Sequence, residues 1–261
     1  MAIELPRRTL GRSGLSVSRL ALAGSYGIDA DAAERAFHEL SINHFFVSLR
    51  MKGLAEGVRR LIKAGHRDEI VLQAGSFMPL GSSLPKAWEK ITRALGTDYV
   101  DIFQIFWVRN RWFVGGKTWP AMQKLKAEGK VKALAISTHE RPLGLALGNE
   151  LPLDVLMLRY NAAHRGAERE VFEKLGQGDR PGIVAYTATR WGKLLKQKGG
   201  LGPMSAPECY RFQLSNPAVD VGLCGARTFD ELKADVEGVL AGPLDEKRSS
   251  EVRAFGDRVH G

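Results

Sequence analysis

Cysteine is nearly absent. Cys209 and Cys224 are the only two in 261 residues, they form no C-x-x-C pair, and no nearby histidine completes a zinc pattern. That argues against a disulfide framework and against any metal site, and leaves both thiols as plain core residues. Long apolar runs are missing too: residues 1–10 hold no stretch of signal-peptide length, and nowhere do about 18 apolar residues follow one another. The expectation is a cytoplasmic protein without a membrane span. The formal charge is +9, yet Lys and Arg are scattered and no RRM, KH or zinc-finger signature collects them. Nucleic acid is therefore not an expected partner, and a generally basic surface or a phosphate-bearing small molecule accounts for the charge. Gly115-Gly116-Lys117-Thr118 ends like a P-loop, but the earlier glycine that motif requires falls on Arg111, so no phosphate cradle is present.

What is present is a 44% hydrophobic chain of a length that suits one eight-fold α/β barrel, which needs about 250 residues. Short apolar runs alternate with amphipathic stretches from end to end, the pattern of repeated βα units around a parallel sheet. Eight strands are predicted, at residues 19–24, 42–48, 70–75, 100–107, 131–137, 155–159, 183–187 and 219–224, with a helix after each. Several are nearly continuous apolar runs, as strands covered on both faces are. Asp31 with Glu34 resembles a capping box, and Pro85 sits early in the helix carrying Trp88 and Ile91. Ahead of the first strand, Gly11 and Gly14 lie between strand-like flanks, which predicts a hairpin placed to plug the N-terminal end. Residues 193–204 are rich in Lys and Gly and read as a mobile loop. No composition shift divides residues 1–261, so the expected fold is a single-domain α/β protein, a (β/α)8 TIM barrel with an N-terminal β-hairpin. In such a barrel the residues just past each strand make the active site.

Three motifs add a family. Arg8-Thr9-Leu10-Gly11-Arg12-Ser13-Gly14-Leu15 followed by Val17-Ser18-Arg19-Leu20, then Leu95-Gly96-Thr97-Asp98-Tyr99-Val100-Asp101, then Gly129-Lys130-Val131 resemble, in order, the aldo-keto reductases. Ile136-Ser137, Arg159-Tyr160-Asn161 and Gly182-Ile183-Val184-Ala185-Tyr186 extend the likeness to the seventh strand. The resemblance implies hydride transfer from NADPH to a carbonyl, with a Tyr as proton donor supported by Lys, Asp and His. A free phenol has a pKa of about 10, so a cation and an ion-paired carboxylate are needed to tune it toward proton transfer near neutrality. Against the family's pattern those four positions fall on Phe46 (Asp), Met51 (Tyr), Gly75 (Lys) and Phe106 (His), and a one-residue shift in the second strand substitutes only Val47 and Lys52. The expected member is thus atypical, without the tetrad. Losing a general acid alone is worth about 10²- to 10⁴-fold in rate.

The resemblance further assigns Tyr186 to the ring that stacks on nicotinamide, Ser137 to its carboxamide, Gly225 and Arg227 to the adenosine phosphate at a helix start, and Asp235 to the neighbourhood of adenine. Thr138 and Met157 stand where the family keeps Asn and Gln, and the 193–204 loop is shorter than the one the family closes over the pyrophosphate. NADP(H) is the implied cofactor. Tyr186 also reads as a packing aromatic, and Arg227 as a surface residue beside Asp230.

Other polar groups near strand ends are Tyr26, Arg50, Trp107, Arg109, His139, Arg159, Asn161, His164 and Arg190, which together read as a cationic mouth. Strand alternation puts Arg159 on the face of Met157, toward the axis, where it meets either an anionic ligand or a loop acid such as Glu140 or Glu168. His139 is the imidazole best placed for acid-base work, and His44, in an apolar strand, reads as a core residue. Trp107, Trp112 and Trp119 form either a ligand wall or packing. Three readings remain open: an atypical enzyme acting on a small polar or anionic molecule at the C-terminal mouth, by unusual oxidoreduction or as a cofactor-free lyase or isomerase; a catalytically inactive pseudoenzyme binding a ligand or partner; and a degenerate barrel with no small ligand.

Overall fold

The computed structural model describes residues 3–175, 178–198 and 202–260. Ten strands form: β1 (Arg7–Thr9), β2 (Ser16–Ser18), β3 (Leu20–Ala23), β4 (His44–Phe46), β5 (Val71–Ser76), β6 (Val100–Ile105), β7 (Val131–Thr138), β8 (Val155–Arg159), β9 (Gly182–Tyr186) and β10 (Val221–Cys224). β1 and β2 pair antiparallel as a hairpin, while β3 to β10 run parallel in chain order and close, β10 bonding to β3. All eight predicted barrel strands are found, with ends displaced by no more than 2 residues.

Helices α1 (Ala30–Leu40), α2 (Lys52–Lys63), α3 (Leu84–Leu95), α4 (Thr118–Ala127), α5 (Arg141–Glu150), α6 (Ala206–Ser215) and α7 (Phe229–Leu240) surround the barrel, and α8 (Glu246–His260) ends it. The crossover from β8 to β9 departs from the expected helix and holds a five-residue π-helical turn, Glu168–Phe172. α3 carries Pro85 in its first turn, where a missing N–H costs nothing. The cap of α1 is Asp29 rather than Asp31. Its extended backbone (φ −80°, ψ 175°) lets the carboxylate accept from Ala32 N–H at 2.7 Å. Asp31 and Glu34 instead reach Arg60 on α2, at 2.7 and 3.1 Å.

Strand alternation separates two apolar groups. Outward-facing residues such as Phe45, Leu72, Phe103 and Leu156 pack beneath the helices; inward ones such as Ala21, Val71, Ile102, Val155 and Val221 fill the axis. Leu10 and Val17 of the hairpin join the axial group, fully buried, so the hairpin does plug the N-terminal end. A close approach holds it there: a Cβ on Gly11 (φ +48°) would lie 2.1 Å from the Gly182 backbone N.

A repeating device pins the strands at that same end. Asn43, Asp101, Asp154 and Asp220, at the starts of alternate barrel strands, accept backbone N–H groups of Ser18, Leu72, Leu134 and Ile183 at 2.7–2.9 Å. The three aspartates are buried and ion-paired, Asp101 with Arg67 and Lys132, Asp154 with Lys126, Asp220 with Arg8 and Arg180. Polar groups buried with this many partners stay satisfied and fix register.

Above the plug the axis turns polar. His44 Nε2 meets Gln73 Oε1 at 2.8 Å, the Gln73 amide donates to Gln104 Oε1, and the Gln104 amide points to Met157 Sδ at 3.4 Å. His44 is a core residue as expected, but its Nδ1 has no partner among the described residues. Burial pushes its pKa down to about 4, so the ring is neutral.

Candidate functional site

The next inward residues up each strand form the floor of the C-terminal mouth. Phe46 and Phe106 meet edge to face with ring centroids 5.6 Å apart, Met51 begins α2 half-buried beside them, and Gly75 completes the set. Phe46 lines the cavity while Val47 packs outward, so of the two alignments of this strand the first is the one whose residue faces the mouth. No side chain fits at Gly75 without moving backbone, because a Cβ there would stand 1.9 Å from the Gln104 carbonyl oxygen.

Above the floor opens a cavity of about 460 Å³. Ser137, Met157, Tyr186, Leu223 and Gly225 line it from the strands, and Tyr26, Phe77, Trp107 and Trp191 from the loops. None of its described lining residues is Lys, Arg, His, Asp or Glu. Aromatic rings climb from floor to rim: Phe46 on Phe106, Phe106 on Phe77 at 4.6 Å, Phe77 on Trp107 at 5.7 Å. Strain concentrates here. Apart from Ser41, every non-glycine residue with a left-handed φ among the described residues belongs to these loops: Trp107 (+55°), Thr187 (+60°), Arg190 (+51°) and Trp191 (+53°).

Ser137 Oγ accepts from Trp107 N–H at 3.0 Å and holds that strained residue, whereas Thr138 faces away and donates to Val108 O at 2.6 Å. The Tyr186 hydroxyl lies 3.3 Å from Thr138 O and 3.2 Å from His139 Nδ1. Burial pushes the Tyr186 phenol up, well past its ordinary value, against the pull of Arg159. Burial, then the Arg159 and Arg109 charges, lowers the His139 pKa. This histidine is therefore a neutral hydrogen-bonding partner at neutral pH.

A side cavity of about 310 Å³ shares Trp107 with the main one and adds Arg109, His139 and Glu140. Neither acid proposed for Arg159 pairs with it: Glu168 binds Tyr160 and Arg253, and Glu140 forms no ion pair among the described residues. Asn161, His164 and Arg190 are structural. Asn161 orders its own turn and bonds Thr187 O, while Arg190 donates to carbonyls at the end of α8. Burial and nearby arginines take the His164 pKa down to about 4. Arg50 is exposed and lines none of these cavities. Of the three tryptophans, Trp107 alone is a cavity wall; Trp119 is core, and Trp112 is exposed against Phe113.

A second groove of about 350 Å³ continues past Tyr26, Thr189, Trp191, Tyr210 and Gly225 to Arg227, Glu231 and Asp235. Its charge does not suit a phosphate at the start of α7, since Glu231 already accepts the Arg227 backbone N–H at 2.8 Å and Thr228 Oγ1 accepts that of Glu231. Asp235 is nearly buried, 3.4 Å from Cys224 Sγ, and burial pushes its carboxyl up to about 7. Both cysteines are buried and free. Leu194 and Met204 anchor the described parts of the predicted mobile loop, through Met204 N–H to Leu194 O at 3.0 Å, while residues 199–201 lie outside the described residues. Among the described residues no cluster suits a metal, and no helix is long and apolar enough to cross a membrane.

The aldo/keto reductase family model matches residues 23–209, from the end of β3 into α6. The chain belongs to that family. Its barrel superposes on aldo-keto reductase AKR11C1 from Bacillus halodurans with TM-scores of 0.78 to both the holo and apo forms, at 20% and 22% identity, covering 97% of this chain and 96% of that one. A 9,11-endoperoxide prostaglandin H2 reductase of Trypanosoma cruzi (strain CL Brener) is 39% identical over 54 residues, which is 21% of this chain and 18% of that enzyme. The first two likenesses carry the fold, the third a local stretch.

Sequence reasoning missed Phe77, Trp191, Tyr210 and Leu223 as cavity walls, and the Gln73–Gln104 ladder beneath. Phe77 directly follows β5 and carried the same positional signal as Trp107. Tyr210 comes from α6, and nothing in its spacing placed it at the mouth.

Proposed function

We propose that this aldo/keto reductase family member binds a small anionic or polar organic molecule at the C-terminal mouth and performs no Tyr-dependent carbonyl reduction. The carrying observation is the lining of the 460 Å³ cavity, which offers no ammonium or carboxylate to tune a phenol. Phe46, Met51, Gly75 and Phe106 hold the four positions where the family pattern has its tetrad. Removing both partners of a buried ion pair in favour of packed apolar groups is often neutral or stabilising, which makes such a floor stable. Tyr186 does not replace the missing donor, because burial raises its pKa and its hydroxyl is already turned to Thr138 O and His139.

Ser137 and Tyr186 are the residues that would hold a nicotinamide ring, Gly225 the adenosine phosphate and Asp235 the adenine. Such a cofactor would supply hydride chemistry. The chain's own contribution is an aromatic cavity, with His139 as the nearest group able to accept or deliver a proton. Arg227 is exposed and free to meet a 2′-phosphate, but Glu231 opposes that charge. A second reading, a catalytically inactive ligand-binding module, is favoured by the edge-to-face contact of Phe46 and Phe106 where proton transfer would occur.

Thermal shift with NADPH, NADP⁺ and NAD⁺ tests the cofactor, since a ligand at about 100 times its dissociation constant stabilises by roughly 2.7 kcal/mol. Absorbance at 340 nm with NADPH and 4-nitrobenzaldehyde tests the chemistry. The expected result is no turnover near the roughly 1–10³ s⁻¹ of ordinary enzymes. Turnover in that range sinks the proposal.

A further inference from the structure

Arginine partners single out one residue. The other half-buried arginines all donate to a carboxylate or a carbonyl, as Arg67 does to Asp101, Arg141 to Glu170, Arg165 to Asp257 and Arg253 to Glu168. Arg159 alone among them has no hydrogen bond or ion pair to any described residue. It ends β8 on the inward face, beside Tyr186 in register, and its charge is felt by His139, His164 and Tyr186. A cation partly withdrawn from water and left unpaired calls for an anion.

The rim around it is divided. Arg109 and His139 follow β6 and β7 and line the side cavity with Glu140, its one described acid, while Arg159 ends the neighbouring β8. Aromatic surface occupies the remaining rim: Phe77 after β5, Trp107 after β6, Trp191 after β9 and Tyr26 after β3. These four are 51%, 52%, 59% and 42% exposed. Left-handed backbone holds Trp107 and Trp191 in place. Exposed rings, strained into position beside an unpaired cation, form an amphiphilic recognition surface.

We propose that the mouth recognises an aromatic carboxylic acid, its ring system taken up among Phe77, Trp107 and Trp191 and its carboxylate bound by Arg159, with Arg109 adding charge at the rim. This deepens the anionic-ligand reading above and rests on it. The combination explains both features, for a carboxylate alone leaves the aromatic rim without a role, and a neutral arene leaves Arg159 without a partner. The guanidinium presents a planar fork that matches two carboxylate oxygens.

Isothermal titration of the full chain with 2-naphthoate, 2-naphthamide and propionate tests it. 2-Naphthoate is expected to bind at least ten-fold more tightly than the neutral amide, with propionate weakest. Arg159→Gln should erase the acid-over-amide preference while leaving the melting temperature unchanged, and Trp107→Ala should weaken acid and amide alike. Equal affinity for acid and amide, an unaltered preference in Arg159→Gln, or no binding of 2-naphthoate overturns the inference. Propionate binding as tightly as 2-naphthoate also overturns it, but leaves the anionic-ligand reading standing. Carbonyl turnover with NADPH, conversely, defeats the proposed function without touching this measurement.

Discussion

Acid should unfold this protein partly through His44. The ring lies on the barrel axis, fully buried, bonded to Gln73 through Nε2 and, among the described residues, to nothing through Nδ1. In the unfolded chain it titrates near about 6.5, whereas burial holds the folded value at about 4. Below pH 6.5 the unfolded state binds a proton that the native state refuses, so the stability His44 permits is fully present above that pH and is lost as the pH falls toward 4. The gap between the two values corresponds to roughly 3 kcal/mol, of which about 2 kcal/mol is gone by pH 5.

 His44→Gln keeps an amide facing Gln73 and removes the titration. Urea denaturation at pH 7.5 and pH 5 should therefore show the wild type losing about 2 kcal/mol more than the variant between the two conditions, with unchanged m-values. An identical loss in both proteins refutes a neutral, desolvated His44.

Gly75→Ala should destabilise the barrel by about 1–3 kcal/mol in thermal melts, because the new Cβ meets the Gln104 carbonyl oxygen; a variant as stable as the wild type contradicts the close approach. For the same reason Gly75→Lys alone should not bring reductase activity. Asp220→Asn should cost about 3–5 kcal/mol by denaturant midpoint, since it leaves Arg180 buried with its partner's charge gone and weakens the hold on Arg8. Glu231→Gln should raise affinity for NADP⁺ relative to NAD⁺ by roughly two- to five-fold in calorimetry, the scale of an exposed charge pair. An unchanged ratio removes Glu231 from nucleotide selection.

Much of the architecture was legible in the chain because it depends on local pattern. Apolar runs separated by helical stretches gave all eight barrel strands, since a parallel strand covered on both faces must be apolar throughout. The hairpin was marked by Gly11 and Gly14, and the inward direction of Arg159 followed from its spacing to Met157. Asp29 was harder to find than Asp31, because a cap is decided by backbone dihedrals and not by residue type alone. The crossover after β8 looked helical and, among its described residues, holds a π-helical turn instead, with Glu168 drawn to Tyr160 and Arg253.

By itself, then, the sequence determined the order of strands, the faces they present and the apolar identity of Phe46, Met51, Gly75 and Phe106. Which charges stay unpaired was decided only in three dimensions. Arg159 and Glu168 are nine positions apart and Arg253 is far along the chain, yet α8 brings Arg253 to Glu168 and leaves Arg159 without an ion pair among the described residues. Pairing depends on through-space distances set by packing of the last helix, and no periodicity along the chain encodes them.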